Sequence, residues 1–134
     1  MQRIMRQLSL VYAGGCVGGL LNAIVIWLFG LYGITTAVGV KIAPELDPGF
    51  LYHQVIWGGI WGALFLIPLY RNRFIRRGFY YSLAPTAVQL FYVYPVLKNQ
   101  GLLGFDLGML TFVFVIIFNA VWGLTASTWS RMAR

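Results

Sequence analysis

The side chains that could do chemistry are few, and they are scattered. His53 is the single histidine and Cys16 the single cysteine, and the three acids Glu45, Asp47 and Asp106 stand outside the apolar stretches of the chain. No nucleophile is paired with a base, no two carboxylates share a helical face, and no His/Cys/Asp/Glu set has the spacing of a metal site. The sequence therefore predicts no catalytic residue, no metal and no cofactor. One cysteine allows neither an internal disulfide nor CxxC redox chemistry. Three uncharged amides, Asn22, Gln89 and Asn119, fall inside apolar stretches, where each needs a partner because water is absent.

The elements that must position these groups are dictated by composition. Of 134 residues, 60% are hydrophobic and 10% charged, and the mean hydropathy is +0.76. So much apolar surface exceeds what a core of this size can bury, and a lipid-facing exterior is expected. A bilayer-crossing helix needs about 20 largely apolar residues, and residues 8–29, 51–70, 78–97 and 107–129 qualify, with no Asp, Glu, Lys or Arg in any of them. The expected fold is all-α: one domain, an integral membrane protein of four transmembrane helices in two antiparallel hairpins.

The net charge of +7 does not indicate nucleic acid, because the basic residues sit in short clusters between apolar runs. With four spans, Arg3, Arg6, Arg71, Arg73, Arg76, Arg77, Arg131 and Arg134 all fall on one side, and every acid falls on the other with Lys41 and Lys98. The positive-inside rule makes the arginine side cytoplasmic, with both termini there. The cluster Arg71, Arg73, Arg76 and Arg77 is also a candidate contact for anionic lipid headgroups. Of the outer connections, residues 30–50 are the longest, and residues 34–42 are apolar enough to lie along the membrane interface or to extend the first helix. Tyr12, Trp27, Tyr32, Tyr52, Tyr70, Tyr94 and Trp129 fall near span ends, as interfacial anchors do.

Helices in lipid pack through small residues that let backbones approach. Gly14 with Gly18, and Gly15 with Gly19, form two adjacent rows on the first span; Gly58 and Gly62 repeat the pattern on the second. The first hairpin uses one row, which leaves the other open to a second partner, including another chain. Pro85 inside the third span predicts a kink. Ser82, Thr86 and Gln89 form one polar stripe, and Asn119, Gly123 and Ser127 another, at i, i+3 or i+4 spacing. Facing each other, they would fix helix register by hydrogen bonding; lining a path between chains, they would serve a small polar solute or ion. His53 heads a stripe with Trp57 and Trp61 at the outer end of the second span, a candidate outer-interface site.

From His53 and Trp57 through the basic turn and Gly78 to Ala87-Val88-Gln89-Leu90-Phe91 and Tyr94-Pro95, the chain resembles YagU-type small bacterial inner-membrane proteins, a family without an established biochemical role. The resemblance covers about a third of the chain and implies a bacterial inner membrane. Glycine seams, aromatic flanks and absent catalytic groups together lead to an expected non-catalytic protein acting by association, as an accessory subunit or self-assembling scaffold whose partners are membrane lipids and other subunits or copies of itself. An oligomeric channel or transporter using the amides is the alternative.

Overall fold

The structure, a computed structural model, describes residues 1–67 and 73–133. Tyr70, Arg71 and Arg134, each named above from the sequence, lie outside the described residues. Among the described residues the chain is helical without a strand. The main helices are α1 (Gln2–Leu31), a single-turn α2 (Ile34–Ala37), α3 (Pro48–Trp61), α4 (Phe74–Val88) and α5 (Thr111–Met132). A 3₁₀ turn, Gly62–Leu66, continues α3, and a π-helix, Gln89–Leu97, continues α4.

Two of these helices, α1 with 30 residues and α5 with 22, are long and apolar enough to cross a membrane. α1 rises about 45 Å and ends where Gly33 adopts φ +72°, a left-handed conformation that glycine takes at little cost. α3 starts where the sequence places its turn chemistry. Asp47 accepts from the Phe50 amide at 2.7 Å, and Pro48 fills the first helical position, where no amide hydrogen is needed.

α1 and α3 pack antiparallel, as do α4 and α5, and the two hairpins join through α1 and α5. Contacts therefore run in the order α3, α1, α5, α4. The outer helices of that row, α3 and α4, make no extensive contact with each other. Among the described residues the 3₁₀ turn that continues α3 reaches α4 and α5 through Phe65, which lies edge-on to Tyr81 and Trp122, with ring centroids 4.9 and 5.9 Å away.

Three features refine the expectation. α4 is α-helical through Pro85, and the winding changes at Gln89, four residues later. A wider turn accommodates Pro95, which has no amide hydrogen and whose ring crowds the carbonyl four residues back in a normal helix. Residues 34–42 do not prolong α1, and six of the nine are exposed. Thr35 and Val40 are fully buried; the Thr35 hydroxyl donates to the Ile42 carbonyl at 2.7 Å, and Val40 packs with Ile26, Phe114 and Phe118. The Lys41 amide donates to the Leu107 carbonyl at 2.9 Å, tying the connection between α1 and α3 to the one that precedes α5. Tyr94, expected among the interfacial rings, is instead a core residue with Leu90 and Val115.

Candidate functional site

The polar stripes of α4 and α5 face each other. Their approach begins where Gly78 and Gly123 cross, each so close that an added Cβ would strike the other's carbonyl oxygen. Ser127 donates across the interface to the Phe74 carbonyl at 2.7 Å. Further along, the Asn119 amide nitrogen donates to Thr86 Oγ1 at 3.0 Å and to Gln89 Oε1 at 3.3 Å. Thr86 in turn donates to the Ser82 carbonyl at 2.7 Å, and Gln89 Nε2 donates to the Tyr94 hydroxyl at 3.2 Å. Such a chain fixes one register of α4 against α5, because sliding either helix by a turn breaks several bonds together.

Of the three amides that fall inside apolar stretches, the structure brings Gln89 and Asn119 together and leaves Asn22 apart. Asn22 continues the Gly14 and Gly18 row of α1 and is 6% exposed, and its Oδ1 has no hydrogen-bond partner among the described residues.

Both glycine rows of α1 are used within the chain, which corrects the expectation that one was open to another chain. Gly15 and Gly19 lie on the backbone of α3 at Gly58 and Gln54, and Gly62 lies on Val11 and Gly15. Gly14 and Gly18 receive Trp129 and Trp122 of α5. Trp122 also donates its indole hydrogen to the Gly58 carbonyl at 3.1 Å, so one side chain ties α5 to α3 past α1.

The basic cluster divides. Arg73 and Arg76 are exposed, whereas Arg77 is 3% exposed. Its Nη2 donates to the Phe65 carbonyl at 2.5 Å and the Ile67 carbonyl at 3.4 Å, and its guanidinium lies over the Phe65 and Tyr81 rings, 5.2 and 5.6 Å from their centroids. The Tyr81 hydroxyl also donates to Ile67. Arg77 thus closes the end of the 3₁₀ turn, satisfying carbonyls that the turn cannot. It is therefore withdrawn from the set of headgroup contacts.

Sequence reasoning missed the roles of Arg77, Trp122 and Gly78. Only Gly78 had a usable signal: it stands four residues before Ser82 on the same helical stripe as Thr86 and Gln89. His53 is exposed on α3, 6.4 Å from the Trp57 ring centroid. Among the described residues no three His, Cys, Asp or Glu side chains form a group able to hold a metal. No protein-family model, curated protein or solved structure matches the chain.

Proposed function

We propose that the chain is a four-span protein of the bacterial inner membrane that acts by association, as a non-catalytic accessory subunit or scaffold. The observation that carries this reading is the closed polar seam. Asn119 donates to Thr86 and Gln89, and these donate in turn to Ser82 and Tyr94, so what the chain offers to its surroundings is an apolar exterior, with Trp57, Ile60 and Phe91 each about half exposed or more. Such an exterior is suited to lipid and to other membrane helices.

Four spans are supported by the continuations of the shorter helices. The 14 residues of α3 are prolonged by five of 3₁₀ turn, and the 15 of α4 by nine of π-helix. Orientation is supported by charge. Arg3, Arg6, Arg73, Arg76 and Arg131 gather at one end of the antiparallel bundle, and Lys41, Glu45, Asp47, Lys98 and Asp106 at the other. The arginine end is cytoplasmic on this reading.

Native mass spectrometry from bilayer nanodiscs and from mild detergent tests association. A stoichiometric partner or a homo-oligomer is expected in both; monomer alone in both sinks the proposal. Solute flux through reconstituted vesicles, abolished by Gln89→Leu, would replace it with the channel reading.

A further inference from the structure

The row α3, α1, α5, α4 leaves its two outer helices without extensive contact, and beside the Phe65 and Tyr81 joint lies an open cleft of about 450 Å³. It lies between the 3₁₀ turn and α4 and is lined by Leu64, Ile67, Tyr80, Tyr81, Leu83 and Ala84. Its volume lies within the ~300–1,000 Å³ of small-molecule sites. The walls are hydrocarbon and aromatic ring. In a bilayer such a hollow does not stay empty, because unfilled space forfeits dispersion contacts on every side.

The charge beside the cleft identifies the occupant. Arg76 precedes Tyr80 by four residues and Ala84 by eight, so it heads the very stripe of α4 that forms one wall, and Arg73 lies one turn earlier. Both are exposed. All three acids of the chain belong to the opposite end of the bundle, where Asp47 caps α3 and Asp106 lies beside Gly101. Arg77 gives this end its shape without competing for the ligand: by binding the Phe65 and Ile67 carbonyls it holds the 3₁₀ turn against α4 and so sets the cleft walls.

We infer that this cleft is a binding site for one anionic phospholipid, an acyl chain lying along Leu64, Tyr80 and Leu83 and the headgroup phosphate held by Arg73 and Arg76. The inference rests on the membrane reading above and adds a specific lipid partner to it. Positive charge near a surface favours anionic lipid by about fivefold per arginine, and the cleft converts that general attraction into retention at one place.

The test uses the full chain in nanodiscs of equal phosphatidylglycerol and phosphatidylcholine, followed by native mass spectrometry under gentle delipidation. One phosphatidylglycerol per chain is expected to survive, retained at least about fivefold over phosphatidylcholine. The Arg73→Gln/Arg76→Gln pair lowers that preference by about fivefold per arginine, whereas Arg3→Gln/Arg6→Gln, which removes the same charge from the same end, leaves it unchanged. Equal loss in the two pairs, or no preference in the parent chain, overturns the site. On the unmodified chain, a phosphatidylglycerol with a photoreactive acyl chain is expected to label residues 80–84 above the other exposed faces; uniform labelling overturns it as well. A chain that never enters the bilayer sinks the membrane reading along with the inference, so the two failures are told apart.

Discussion

Between α1 and α3 the contact is backbone on backbone, with Gly15 and Gly19 against Gly58 and the Gln54 carbonyl. Between α4 and α5 a single crossing of that kind, Gly78 on Gly123, is followed by a ladder of side-chain bonds from Ser127 to Asn119 and Gln89. Along the Gly15 and Gly19 row the first hairpin is held by the closeness of backbones, with no side chain there to move aside, while Gly59 faces the Cys16 and Tyr12 side chains. The second gains part of its stability from directional bonds, each modest, that select one register. A bulky substitution therefore harms the first hairpin most, and a polar deletion harms the second by a graded amount.

The largest effect is expected for Gly15→Leu. Its side chain would enter space held by the Gly58 carbonyl and the Gly59 backbone, with no flexible group to yield, so a loss of about 3 kcal/mol or more follows. Thermal unfolding in detergent, followed by tryptophan fluorescence, measures it. A variant as stable as the parent would refute the backbone contact.

Arg77→Met comes next. It keeps most of the apolar stem but leaves the buried Phe65 carbonyl without its charged donor, for a cost of about 2 kcal/mol. Because Arg77 joins the 3₁₀ turn to α4, Arg77→Met should lower the unfolding temperature well below that of Arg76→Met, whose parent side chain is exposed. Equal stability of the two variants would remove Arg77 from that role.

In the polar seam the effects are smaller. Asn119→Ala is expected to cost about 1 kcal/mol and Gln89→Ala less, with a coupling of about 0.6 kcal/mol in a double-mutant cycle. Zero coupling would mean that the 3.3 Å contact between them contributes nothing to register.

How far these interfaces could be read from the sequence follows from the same contrast. Glycine rows and amide stripes are periodic, so Gly15, Gly19, Gly58, Thr86, Gln89 and Asn119 reveal their faces by spacing. Spacing does not tell what lies opposite. The Gly14 and Gly18 row looks open to another chain until α5 is seen to place Trp129 and Trp122 on it. Arg77 reads as one more member of a basic cluster, because a 3₁₀ turn that ends with carbonyls needing a donor leaves no mark in composition. The burial of Val40 is hidden from the sequence for a similar reason: it depends on Phe114 and Phe118, more than 70 residues further along the chain.

The smallest effect sharpens the comparison within α1 itself. At Gly15 an added methyl meets backbone, whereas at Gly14 it meets the Trp129 ring, 2.9 Å from Cδ1. Trp129 is 39% exposed, at the end of α5, and its ring has room to swing outward. Alanine in place of glycine also favours the helix by up to about 1 kcal/mol, which offsets the cost of moving the ring. Gly14→Ala should therefore be within about 0.5 kcal/mol of the parent in thermal unfolding, while Gly15→Ala loses clearly more. If the two alanine variants were equally destabilised, Trp129 would be held as firmly as backbone, and the two rows of α1 would be the same kind of interface.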